Sequence, residues 1–231
     1  MSTVDILTAM RLLQFADSIL PIGAFSFSNG LESAIATGIV NDEETLREYV
    51  YTITEQAATG DGVALLHAHR AAVAQDLAGV ICADNAIIQR KLAEEMRLMT
   101  TRMGRKLGEL GEFVHSVPLM SEWLAGVKAG NTPGTYAVGL GILTAGLGLL
   151  EQESFAMHQY GAAMMVLGAS LRLMKINYLA TQAILFEVNG QVPAAYVRVA
   201  SRTLEDMATF APTADVLAAI HVKAHVRMFM N

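Results

Sequence analysis

Six histidines and a single cysteine are the residues of this chain best suited to metal or nucleophilic chemistry. His221 and His225 stand four apart and would share one helix face, the spacing of a zinc-binding pair. Val222, Lys223 and Ala224 lie between them, so the water-activating glutamate of HExxH is missing and Lys223 would repel a nearby cation. The pair is therefore either a metal site or two solvated or interfacial imidazoles. His67 and His69 are two apart and point to different sides of a helix. Cys82 has no pattern-matched histidine partner, and no GxSxG elbow occurs. The phosphate-binding pattern GxxxxGK followed by Ser or Thr is absent. The run Gly139-Leu140-Gly141 opens like a dinucleotide fingerprint but lacks the third glycine and a preceding strand. No nucleophile–base pair is visible. The expectation is a protein without catalytic, cofactor-binding or metal-binding residues of its own.

The composition says what kind of elements must carry such a chain. It is 53% hydrophobic and only 16% charged, below the roughly 25% charged of an average soluble protein. Either a tightly packed core absorbs the apolar residues, or partners complete the surface. A net charge of −6 argues against nucleic-acid binding, which needs a basic face. One cysteine permits no internal disulfide and fits a reducing cytoplasm. The start of the sequence lacks the basic and long apolar regions of a secretory signal. The uncharged stretch 129–150 is not expected to span a membrane. It opens as a loop, and the remaining helix of about 22 Å is too short for a ~30 Å hydrocarbon layer.

Helical periodicity covers the rest, and no strand pattern appears. Short helices are predicted at Leu7–Phe15 and Leu31–Thr37, the second stopped by Gly38. Asn41 and Glu44 have capping-box spacing before a helix running to about Thr59. Further helices are predicted at 62–78, 84–110, 117–128, 135–150, 154–187, 193–209 and 213–229. Within 84–110, Leu92, Met96, Met99, Met103, Leu107 and Leu110 form one apolar stripe. Lys91, Arg102, Arg105 and Lys106 fall beside it, as a solvated face or a docking surface for an acidic partner. Gly139, Gly141, Gly146 and Gly148 cost about 1 kcal/mol each inside a helix, so close helix approach is expected there. Gly161, Ala162, Ala163, Gly168 and Ala169 continue the theme. The expected fold is one all-α domain over 1–231, a bundle of about eight to ten helices around a small-residue centre.

The segment between the first two helices is the most specific. It reads Leu20-Pro21-Ile22-Gly23-Ala24-Phe25-Ser26-Phe27-Ser28-Asn29-Gly30-Leu31-Glu32. Pro21 fixes φ, and Gly23 and Gly30 permit turns closed to other residues. Ser28 or Asn29 can cap the helix that follows, with Glu32 well placed in its first turn. Phe25 and Phe27 either tuck into the core or stand at the surface as a recognition element.

This segment, with Leu12-Leu13-Gln14 before it, resembles the signature of the UreF family of urease accessory proteins, LLQxxxxxLPxGxFSxSxGLE. Ala24 stands where a second Gly is common, and Phe27 where Tyr or Trp is common. Glu95-Met96-Arg97 with Met103-Gly104 resembles the family's central helix, and Tyr136-Ala137-Val138-Gly139 its glycine-rich helix. Arg172-Leu173 and Gln182 match the ends of a later signature whose middle, usually Pro-Leu-Gly-Gln, is Lys175 to Tyr178 here. His221 to Phe229 resembles the C-terminal HExxxxxRLF pattern in part.

The resemblance implies an all-helical protein that binds UreD (also called UreH) and the GTPase UreG, and helps deliver nickel to the urease apoprotein. Some members of the family dimerise, so a homodimer is possible. The protein-binding candidates carried over are Pro21, Gly23, Phe25, Ser28, Gly30 and Glu32 in the loop, Arg172 and Gln182 further on, and Arg227 and Phe229 near the end. A distinct alternative is a nickel carrier using His221 and His225.

Overall fold

In the computed structural model, which describes residues 5–208, 211–221 and 228–230, every regular element is helical. In chain order these are α1 (Ile6–Ala16), α2 (Leu31–Ala36), α3 (Glu43–Ala57), α4 (Val63–Val73), α5 (Leu77–Arg90), α6 (Glu94–Val114), α7 (Pro118–Ala129), α8 (Tyr136–Gly146), α9 (Glu151–Leu173), α10 (Tyr178–Val199) and α11 (Pro212–His221). A single turn of π-helix, Ala58–Gly62, joins α3 to α4 without a loop. No described helix is long and apolar enough to cross a membrane.

Local chemistry sets several boundaries. The capping box of α3 belongs to Asp42 and Thr45, one residue later than the Asn41–Glu44 spacing suggests. Asp42 Oδ1 accepts from Thr45 N at 2.9 Å, while Thr45 Oγ1 accepts from the amides of Asn41 and Asp42. Pro118 opens α7 at a position where its missing N–H costs nothing, and Gly130 closes it in the left-handed conformation.

Two predicted long helices are each divided. The stretch 84–110 breaks at Lys91–Ala93, although no Gly or Pro stands there. Arg97 Nη1 donates to the carbonyls of Lys91 and Leu92 at 2.5 and 3.1 Å, satisfying acceptors the break leaves free. Lys91 Nζ turns aside to pair with Asp61 at 2.8 Å and so leaves the basic face, while Leu92 is exposed and leaves the apolar stripe. The stretch 154–187 divides at 174–177, where the Asn177 side chain accepts from Ala180 N and caps α10. That helix then runs through Pro193 to Val199, so no separate helix begins at 193. Pro193 is exposed on the outer side of α10.

The small-residue centre has a definite geometry. A Cβ on Gly141 would lie 2.9 Å from Leu65 O and 3.1 Å from His69 N, so α8 meets the backbone of α4 directly. On Gly139 it would lie 3.1 Å from the Trp123 ring. Gly148 instead lies beyond the end of α8, and at Gly168 an added Cβ would meet nothing within 4 Å. Gly161 and Gly168 line a cavity rather than a helix contact.

A buried carboxylate ties this centre together. Asp84, on α5, accepts five hydrogen bonds: from Trp123 Nε1, Thr132 Oγ1, Gly134 N, and both the amide and hydroxyl of Thr135, at 2.6–3.1 Å. It fixes the 132–135 turn that launches α8 against α5 and α7. A second network joins α4, α9 and α10, where Glu151 accepts from Arg70 Nη2 at 2.9 Å and Tyr196 Oη at 2.8 Å. The Arg70 guanidinium holds the Glu151 carboxyl below its usual range.

Candidate functional site

The segment between α1 and α2 is a folded loop with its two phenylalanines divided. Ile22 and Phe27 are buried, whereas Phe25, in a 3-10 turn at Ala24–Ser26, is 68% exposed. The split follows from where the turn ends: Phe25 lies within it, whereas Phe27 leaves it in extended backbone (φ −120°, ψ 143°). Gly23 (φ 88°) opens the turn, and Pro21 is exposed ahead of it.

The return into α2 is tightly specified. Gly30 (φ 82°) is its N-cap, and an added Cβ would stand 2.8 Å from the Tyr49 hydroxyl. Both the conformation and the space therefore require glycine. Tyr49 Oη donates to Asn29 O at 2.9 Å, fixing Asn29 at φ 55°. Ser28 is fully buried, and its hydroxyl accepts from Glu32 N at 3.3 Å, so it caps α2 from outside the N-cap position.

Four of the predicted residues, far apart in sequence, meet here. Arg172, at the end of α9, donates from Nη2 to Phe25 O at 3.0 Å and places its guanidinium 4.1 Å from the Phe229 ring centroid. Glu32 accepts from Met228 N at 2.8 Å and Phe229 N at 3.1 Å. Met230 N completes the clasp by donating to Ser26 O at 2.8 Å. The segment 228–230 is thus bound to the loop by its backbone and by one buried ring. Gln182 is not part of this cluster; it is exposed on α10. Arg227, His225 and the His221 side chain lie outside the described residues, as does the proposed His221–His225 pair.

Beneath the loop lies a cavity of about 200 Å³, lined among others by Phe25, Met96, Met99, Tyr136, His158 and Arg172. His158 stacks on Tyr136 with ring centroids 6.1 Å apart, and its buried Nδ1 has no hydrogen-bond partner among the described residues. Burial holds this imidazole down to about 4, so it is neutral at physiological pH. Neither His158 nor Tyr49 stands out in the sequence: a lone histidine or tyrosine in an apolar helix carries no spacing signal.

Three further histidines, His67, His69 and His115, each meet a backbone carbonyl, that of His115 at 3.3 Å from Gly146 O. His67 Nε2 lies 2.9 Å from Arg202 O, and His69 Nε2 lies 2.9 Å from Leu149 O. Among the described residues no three of His, Cys, Asp and Glu gather as metal ligands would.

Fold and site together define an all-α protein that holds a clasped loop, with one exposed phenylalanine, on a helical frame. The chain belongs to the UreF family, whose model matches residues 40–189. Relatives extend that match to nearly the whole chain. It is 54% identical over 222 residues to a Brucella canis protein named urease accessory protein UreF 2, covering 96% of this chain and 91% of that one. Against urease accessory protein UreF of Yersinia enterocolitica it is 50% identical over 222 residues, with 96% and 97% covered.

Proposed function

We infer that this chain is a non-catalytic accessory protein of urease maturation, working in the cytoplasm. In this reading it bridges UreD (UreH) and the GTPase UreG and promotes the GTP-dependent assembly of the nickel centre in the urease apoprotein. GTP hydrolysis and nickel chemistry belong to the partners.

The observation that carries the reading is the exposed Phe25 ring on a loop whose backbone is clasped by Arg172. A rigid, pre-ordered aromatic is the kind of group that anchors protein interfaces, because little conformational freedom is lost on binding. Pro21, Gly23 and Gly30 shape the loop, Ser28 and Glu32 fasten it, and Phe25 is its contact. The outer side of α10 is a further contact candidate, for the possible homodimer. There Tyr178, Leu179, Phe186 and Val197 are exposed along one helix, with Gln182 among them. Such a patch fits the low charge of the sequence, if partners complete the surface.

The test is retention of UreD and UreG by the tagged chain, comparing the wild type with Phe25→Ala. The variant should keep its helical content and lose most of the retained partner. Full retention by Phe25→Ala would remove the loop from the interface, and loss of helicity would assign Phe25 to folding.

A further inference from the structure

The outer face of α6 carries an unbalanced positive charge in a protein that is acidic overall. Leu98, Arg102, Arg105, Lys106, Glu109 and Phe113 follow at steps of four, three, one, three and four, which places them on one side of the helix. All six are exposed, while Met99, Met103 and Leu107 fill the opposite side. Four other cations of the chain, Arg47, Arg70, Lys91 and Arg198, are ion-paired. Among the described residues Arg102, Arg105 and Lys106 have no carboxylate at ion-pairing distance. Arg102 has one weak contact, from Nη1 to the Met230 sulfur at 3.5 Å. Leu98 and Phe113, the latter 90% exposed, bracket the charged turns with apolar surface.

Two arginines and a lysine on successive turns suit carboxylates, which guanidinium binds bidentately. The apolar residues at either end suit a folded protein surface better than a phosphate chain. The net charge of −6 adds selectivity, since the rest of the molecule repels an acidic partner that is not aligned with this face. Glu109 and Glu112 lie toward the C-terminal end of α6, so the face is directional: basic in its middle, acidic beside Phe113.

We propose that the Arg102–Arg105–Lys106 face of α6 docks an acidic surface of a protein partner, its carboxylates set against the basic turns and its apolar rim against Leu98 and Phe113. This deepens the adaptor reading by naming the chemistry of one partner.

The direct test measures binding of a fluorescein-labelled polyglutamate peptide to the full chain by anisotropy, across a salt series. Arg102→Glu combined with Arg105→Glu should weaken binding about tenfold, equivalent to about 1.4 kcal/mol. Lys128→Glu, on the exposed side of α7, should leave binding unchanged, and Glu109→Lys should strengthen it. Equal affinity of the double variant and the wild type, or no binding by the wild type at low salt, overturns the proposal. So does tighter binding to phosphatidylserine vesicles than to the peptide, which would make the face a membrane contact. A second arm compares urease activity in cells that co-express the other urease genes. The double variant, folded by circular dichroism, should lose most of the activation that the wild type gives. Full activation by that variant overturns the docking role. Failure of the wild type itself to activate would instead sink the adaptor reading, leaving the peptide arm to judge the face.

Discussion

Arg172 and Phe229 are stacked, guanidinium carbon to ring centroid 4.1 Å, and the same guanidinium donates to the carbonyl oxygen of Phe25 at 3.0 Å. One side chain at the end of α9 therefore connects the exposed loop to the segment 228–230. Arg172 positions Phe25 rather than merely lying near it.

Arg172→Ala should cost about 1 kcal/mol of global stability, the scale of one partly exposed cation–π contact and one hydrogen bond. The local effect should be larger: the amides of Phe229 and Met230 should exchange with solvent well before global unfolding. Hydrogen exchange read by NMR checks this. Protection equal to the wild type would show that Glu32 and Ser26 alone hold the segment.

Gly30→Ala should destabilise by about 1–3 kcal/mol, since a Cβ at φ 82° is strained and would crowd the Tyr49 hydroxyl. Tyr49→Phe combined with Gly30→Ala should recover part of that loss by removing the crowding oxygen, though the Asn29 contact goes with it. Urea midpoints of the single and double variants give the coupling. Strict additivity would mean that the clash relaxes freely.

Asp84→Ala should be among the most damaging single changes, about 3–5 kcal/mol, because it leaves donors from Trp123, Thr132, Gly134 and Thr135 without their acceptor. Asp84→Asn should cost less but still substantially, as one carboxylate oxygen becomes an NH₂ facing donors. Denaturant unfolding followed at Trp123 reports both stability and the local environment. A loss under about 1 kcal/mol for the alanine variant would contradict the hub.

Stability should fall as the solution is acidified from neutrality, with His158 a principal cause. Its imidazole drops from 6.5 to about 4 on folding, chiefly through burial; nearby Lys91 lowers it further, while Asp61 opposes. Between those values the unfolded chain binds more protons than the folded one. The contribution is thus complete above pH 6.5 and lost as pH falls through 4, amounting to about 3 kcal/mol. His158→Gln should flatten the pH dependence of the urea midpoint in that interval. An unchanged slope would place the titration elsewhere.

Much of this was legible in the residues. The all-α fold followed from helical spacing, and α7 and α8 lie close to their predicted ranges because Pro118, Gly130 and the Gly134 turn mark them. The breaks at Lys91–Ala93 and 174–177 were not foreseen, for different reasons. The first is held by a local contact from Arg97 and by the tertiary pairing of Lys91 with Asp61, which an unbroken apolar period conceals. The second carried a local signal, the Asn177 cap, which the apolar run around it masks. In the loop, local chemistry singles out Phe25, Ser28, Gly30 and Glu32 as candidates, but the meeting of Phe25 and Glu32 with Arg172 and Phe229 is a property of the fold. Gln182, matched by motif alone, lies apart on α10.

The most direct test of the accessory role is urease activity in cells that express all the other urease genes with and without this chain, with nickel supplied. The account predicts abundant but largely inactive urease when the chain is absent and recovery when it is restored, with Phe25→Ala recovering little. Urease that is equally active without the chain would contradict it.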